Sequence, residues 1–229
     1  MLSIRRLACA ATLSFAALNA WAAPPVTGFY AGAGAGQSRY NIDFASQVHG
    51  AYDGTAFAVT SASMDRKHDT AWRIFGGYQF MPYVAVEGGW QDLGSAKGDY
   101  ALRNTQNGET FSRQAEWDLS GFNATLVGIY PFAERFAVTG KVGAFFSKLE
   151  FSETTTDANG ARSTFNGPDD DQVRLTWGVG GSYRITDNLS ARLDWDRIEK
   201  VGQQFALNEE GNGRFRHVDL WSLNLIWKF

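Results

Sequence analysis

Hydrophobic and polar residues alternate along most of this chain with a period of two. In the final segment Trp221, Leu223, Leu225, Trp227 and Phe229 share one parity, with Ser222, Asn224 and Lys228 between them. Period two is a strand signal, because successive side chains leave opposite faces of a pleated backbone. The same pattern sets Phe29, Ala31, Ala33 and Ala35 on one face, then Trp72, Ile74, Tyr78 and Phe80, then Val84, Val86 and Trp90. It continues through Phe122, Ala124, Leu126 and Tyr130, then Phe136, Val138, Val142 and Phe146. Val173, Leu175, Trp177, Val179 and Tyr183 follow, and then Leu189, Ala191, Leu193 and Trp195. Short turn signals stand around Pro82 ("YQFMPYV"), Pro131 ("YPFAERF") and Asp187-Asn188 ("RITDNLS"), each flanked by alternating segments, so each predicts a hairpin. Between the hairpins lie long polar segments, at about 38–70, 93–115, 151–171 and 198–216. Short turns at one end and long loops at the other predict an all-β, eight-stranded, antiparallel up-and-down barrel.

The opposite face carries Arg73, Gln79, Glu87, Gln91, Asn123, Thr125, Lys141, Arg192, Asp194, Asp196 and Asn224. A soluble barrel would turn the apolar face inward, whereas a transmembrane barrel turns it to lipid. Aromatic placement decides between them. Phe29, Tyr78, Phe80, Tyr130, Phe136, Tyr183, Trp227 and Phe229 fall at the short-turn end, and Trp72, Trp90, Phe146, Trp195 and Trp221 near the long-loop end. Two aromatic belts separated by small aliphatics match the two interfaces of a bilayer, and a soluble core has no reason to band its rings this way. The prediction is a transmembrane β-barrel with short periplasmic turns and four long extracellular loops. Backbone polar groups in hydrocarbon must be paired within the protein, so the last strand has to meet the first.

The ends of the chain fit that setting. Arg5 and Arg6 precede an apolar stretch from Leu7 to Ala20, and Ala20-Trp21-Ala22 offers a small-residue cleavage site. Residues 1–22 read as a signal peptide and 23–229 as the barrel domain, with cleavage after Ala23 the other option. The one cysteine, Cys9, lies in that leader, so disulfides are not expected to support the fold. Removing two arginines from 21 basic residues against 24 acidic ones gives 19 − 24 = −5 for the mature chain. No basic block suggests nucleic acid.

"GGYQFMPYVAVEGGWQDLG" (76–94) and "GGSYRITDNLSARLDWDR" (180–197) resemble two hairpins of the OmpA transmembrane-domain family, and "GFYAGAGAG" (28–36) is similar to its first strand. The alternation ending in Phe229 resembles the signal by which such barrels are recognised for assembly, with Trp227 and Phe229 its key rings. The resemblance implies a Gram-negative outer membrane, a periplasmic N-terminus and surface-exposed loops; as a departure from the family's pattern, no peptidoglycan-binding domain is expected after the last strand. It also implies a charged lumen cluster that blocks or gates a narrow water path. Glu87 and Arg192 match members of that cluster, but Gly34 stands where the family has lysine and Ser182 where it has glutamate.

An eight-stranded barrel is only wide enough for its own side chains, and charges enclosed there must be paired. Glu87, Lys141, Arg192, Asp194 and Asp196 therefore predict either a structural plug of ion pairs or a charge-gated pore of low conductance. A third reading, a lipid-A-modifying enzyme, would draw on His49, His68 and His217 near the outer rim. His217 and Asp219 stand on the opposite face from Ser222, a poor arrangement for a catalytic dyad. Asp169-Asp170-Asp171 fits no calcium loop, and "GAGAG" is followed by no helix, so it is not a nucleotide loop. Glycines there are expected to make room for bulky lumen neighbours. The expectation is a non-enzymatic barrel without cofactor or metal. Its expected partners are outer-membrane lipid and lipopolysaccharide, the assembly machinery and periplasmic chaperones, and host or surface ligands reached through the loops, with no nucleic acid.

Overall fold

A computed structural model of the chain describes residues 27–167, 169–202 and 213–229. The expected leader, residues 1–22, and its expected cleavage site lie outside the described residues. In chain order the elements are β1 (Gly28–Asn41), α1 (Phe44–Tyr52), β2 (Phe57–Arg66), β3 (His68–Met81), β4 (Val84–Asn104) and β5 (Thr110–Pro131). β6 (Phe136–Thr156), β7 (Arg162–Asn166), β8 (Asp170–Arg184), β9 (Leu189–Glu199) and β10 (His217–Lys228) complete them.

Eight of these strands form a closed antiparallel ring in the order β1, β3, β4, β5, β6, β8, β9, β10 and back to β1. Closure joins the first strand to the last, with Tyr30 opposite Lys228 and Asn41 opposite His217. The remaining two strands are additions at the outer end: β2 pairs with the upper part of β4, and β7 with that of β6. Tight turns link β3 to β4, β5 to β6 and β8 to β9.

The outer segments are long, as their spacing predicts, but three of them are largely regular structure. β4 and β5 run on past the membrane and pair as far as Arg103 with Thr110. Segment 42–67 holds α1 and β2, and segment 151–171 holds the β6–β7 hairpin. The crown begins at a bulge between Asp92 and Ser95, where Gly94 adopts a φ of 69° that favours glycine.

One parity faces outward along the whole ring, but its polarity changes with height. On β5 the outward residues are Glu116, Asp118 and Ser120 above, then Phe122, Ala124, Leu126 and Tyr130 below. The change falls between Trp90 and Asp92 on β4, Phe146 and Lys148 on β6, Trp195 and Arg197 on β9, and Trp221 and Asp219 on β10. From Phe122 to Tyr130 is eight steps of about 3.3 Å, which at a strand tilt of about 40° rises about 20 Å; with the flanking rings this approaches the roughly 25 Å apolar band of outer-membrane barrels.

Candidate functional site

The rings place themselves as two girdles. Phe29 stacks on Tyr78 at 4.6 Å and Phe136 on Tyr183 at 4.9 Å at the short-turn end, where Phe80, Tyr130, Trp227 and Phe229 are also exposed. Phe229 is 75% exposed, and its backbone N–H donates to the Phe29 carbonyl at 3.0 Å, so the chain end is held in the sheet with its ring outward. At the other end Trp72, Trp90, Phe146 and Trp221 are exposed and Trp195 is half-buried. Trp177 and Phe122 join them: Trp195 lies between Trp177 and Trp221 at 5.1 and 6.4 Å, and Phe122 is 6.4 Å from Phe146.

Inside, at mid-height, six charged side chains meet, none more than 7% exposed: Arg73, Glu87, Lys141, Arg192, Asp194 and Asp196. Glu87 on β4 and Arg192 on β9 stand four places apart in the ring of eight, and their side chains cross the bore. Arg192 grips Glu87 with both terminal nitrogens, at 2.6 and 3.0 Å, and its Nε donates to Asp194 at 2.9 Å. Lys141 bridges Asp194 at 3.1 Å and Asp196 at 2.8 Å. Arg73 closes on Asp196 at 2.6 Å. Three cations face three carboxylates, so the cluster is neutral, as a low dielectric demands.

Arg73 had no place among the expected cluster members, although its inward parity was legible. Neutral groups complete the network. The Tyr30 hydroxyl donates to Glu87 at 2.9 Å, and Asn224 Nδ2 donates to Asp194 at 3.0 Å. The Phe75 ring lies under both the Arg73 and Arg192 guanidiniums, at 4.9 and 5.1 Å. Small residues opposite make this possible. A Cβ on Gly32 would sit 2.4 Å from the Phe75 ring, and one on Gly34 would sit 2.1 Å from Asn224 Oδ1. The position where the family has lysine is therefore filled by Asn224 from the neighbouring strand.

Above the ionic layer the interior turns apolar, which sequence reasoning missed. Tyr40, Phe44, Val48, Leu93, Trp117, Phe145, Leu149, Phe215 and Leu220 are buried in one cluster. Trp117 on β5 and Phe215 beside β10 come from opposite sides of the ring and meet at 5.6 Å. Phe44, from α1, packs edge-on against Trp117 at 5.7 Å, so the helix caps the bore. The Tyr40 hydroxyl donates to the Leu93 and Gly94 carbonyls at 3.0 and 2.7 Å. Higher still, Tyr100 and Arg113 both donate to Glu153, at 2.5 and 2.8 Å. Burial and that carboxylate push the Tyr100 phenol well above its ordinary value.

Among the described residues the rim does not assemble a nucleophile and base. His217 Nε2 is 3.5 Å from Asp219, but that carboxylate is held in a fork by Arg197 at 2.7 and 3.0 Å. Ser222 is buried on the inner side, where its hydroxyl accepts from Asn224 at 3.1 Å. His49 lies on α1 and His68 opens β3. Asp169 is 3.6 Å from Lys148.

The family model for the OmpA-like transmembrane domain matches residues 24–228. The chain belongs to that family. This OmpA-like chain is accordingly an outer-membrane β-barrel of the Gram-negative envelope. It is similar to outer membrane protein P5 of Haemophilus influenzae, 28% identical over 193 residues, covering 82% of this chain and 49% of that protein. The chain thus spans about half the length of the curated relatives it matches. Among solved structures it resembles Ail of Yersinia pestis, determined with the heparin analogue sucrose octasulfate (TM-score 0.43, 13% identity, 89% of this chain and 99% of that one). It also resembles the outer membrane protease OmpT of Escherichia coli (TM-score 0.46, 12% identity, 90% and 97%). Likenesses this distant carry no function across.

Proposed function

We propose that this OmpA-like barrel is a closed, non-enzymatic envelope protein. It contributes to outer-membrane integrity and presents its structured crown for contacts at the cell surface. The observation that carries the reading is a lumen closed twice over: a neutral ionic layer at mid-height, and above it an apolar plug in which Trp117 and Phe215 meet across the bore. An ion crossing would have to open the first and then pass an apolar constriction, and the second barrier does not depend on the first. The charge cluster is on this reading a structural plug rather than a gate.

The lipid-facing girdles serve as anchors in outer-membrane lipid and lipopolysaccharide. Trp227 and Phe229, exposed on the last strand, serve as the mark read by the assembly machinery and its chaperones. The outer hairpins and α1 are the surface offered to host or surface ligands. Single-channel recording in planar bilayers tests the central point. Wild type, Glu87→Ala and Arg192→Ala are all expected to be silent. A conductance that appears on breaking the Glu87–Arg192 pair alone would instead establish the charge-gated pore.

A further inference from the structure

The periplasmic mouth of the barrel holds a feature that neither closure nor anchoring uses. Below the ionic layer a cavity of about 190 Å³ opens between the β5–β6 and β8–β9 turns. Arg135, Arg184 and Lys228 line it, with Asp187 at the rim and Thr139 and Arg192 toward the floor. Among the described residues, no carboxylate lies within 4 Å of Arg135, Arg184 or Lys228. This contrasts with the ionic layer above, where Arg73, Lys141 and Arg192 each have a carboxylate partner.

Two of the three cations are positioned without being neutralised. Arg184 donates through Nη2 to the Glu134 carbonyl, and Lys228 Nζ donates to the Gln79 amide oxygen at 2.7 Å. Deeper in the cavity, the Thr139 hydroxyl is buried and has no hydrogen-bond partner. The walls include Ile129 and Ile226, and low-dielectric walls concentrate a positive field in such a recess. Three unneutralised cations against Asp187 leave the recess with net positive charge in a chain whose formal net charge is −3.

We infer that this mouth is a binding site for a phosphate group. Guanidiniums offer the fork that phosphate oxygens match, and Lys228 supplies a point charge. The phosphate has two sources, free anion in the periplasm or the headgroup of an inner-leaflet phospholipid. The second is within reach, since Arg135 also borders a shallow recess, shared with Glu134, beside Phe136 and Tyr183 of the lower girdle. A lipid whose chains lie along those rings would bring its phosphate to the same guanidinium.

The test uses the full chain folded in uncharged detergent. Inorganic phosphate is titrated against a chloride background and followed by 31P NMR. In parallel, native mass spectrometry reads retention of phosphatidylglycerol against phosphatidylcholine. Binding in the first arm assigns the free anion, and selective retention only in the second assigns the lipid. Either is expected to weaken about tenfold or more in Arg135→Gln/Arg184→Gln and to survive in Arg184→Lys. Arg39→Gln, which removes an exposed cation at the outer end, is expected to change neither. The inference is overturned if wild type distinguishes neither phosphate from chloride nor phosphatidylglycerol from phosphatidylcholine. It is overturned equally if Arg39→Gln loses as much as the double variant. Should that double variant fail to fold, as read by heat-modifiable migration, Lys228→Gln carries the same expectation.

Discussion

The ionic layer makes a prediction that separates a paired plug from a set of independent contacts. Glu87→Leu removes both acceptors of the Arg192 fork, at 2.6 and 3.0 Å, and the acceptor of the Tyr30 hydroxyl at 2.9 Å. Arg192 would keep Asp194 through Nε at 2.9 Å, but the layer would carry one excess positive charge. Breaking a buried pair costs about 3–5 kcal/mol, and the surviving Asp194 contact offsets part of it, which leaves about 2–4 kcal/mol. Arg192→Leu strands Glu87 with only Tyr30 as donor, for about 3–5 kcal/mol. Glu87→Leu/Arg192→Leu removes one charge of each sign, leaving Arg73 and Lys141 against Asp194 and Asp196, so its cost should not exceed that of the milder single variant. The coupling energy is then at least about 3 kcal/mol, the cost of the harsher single variant. Urea unfolding from phosphatidylcholine vesicles, followed by tryptophan fluorescence, measures all four proteins. If the two single losses add to within about 0.5 kcal/mol in the double variant, the reasoning fails.

Two further predictions concern the crown. Trp117→Ala should cost about 3–5 kcal/mol in the same unfolding assay, because a large ring buried against Phe44, Phe151 and Phe215 is replaced by a cavity. By itself it should open no conductance, since the ionic layer remains below; combined with Glu87→Ala it should, and silence of the combination would count against two barriers in series. On the outer surface, burial and then the neighbouring Glu116 and Glu150 raise the Asp118 carboxyl. Its folded-state pKa lies above the unfolded value, so its contribution is fully present below about pH 4 and is lost as pH rises through the folded value. Acidification from pH 7 should therefore strengthen the crown, and Asp118→Asn should flatten that dependence, as hydrogen exchange in β5 would record.

Much of the barrel was legible because the membrane enforces a rule at each residue. Where lipid lies outside, as from Phe122 to Tyr130, apolar and polar side chains must alternate, and parity alone orients them. The opposition of Glu87 and Arg192 is fixed by their strands, four apart in a ring of eight, so the strand count alone places it. The crown was not legible in the same way. Above Ser120 the parity of β5 continues unbroken, but water replaces lipid outside, so the two faces exchange character. Ala115, Trp117 and Leu119 take the inside, while Glu116 and Asp118 take the outside. Averaged over "TFSRQAEWDLSG" that exchange reads as a polar loop; the unbroken parity from Ala115 to Thr125 was the available signal. Arg73 joined the ionic cluster through its register opposite Gln91 and the reach of its side chain, neither of which one sequence encodes visibly.

Everything rests on the ring-bearing side of the sheet touching hydrocarbon below that exchange and water above it. The most direct measurement is spin-label accessibility at Asp118→Cys, Thr125→Cys and Leu126→Cys, in a chain whose one native cysteine is Cys9. In bilayers, Leu126→Cys should collide with dissolved oxygen and Asp118→Cys, on the same face, with an aqueous nickel chelate, while Thr125→Cys should meet neither readily. Oxygen access at Thr125→Cys together with a shielded Leu126→Cys would contradict the account.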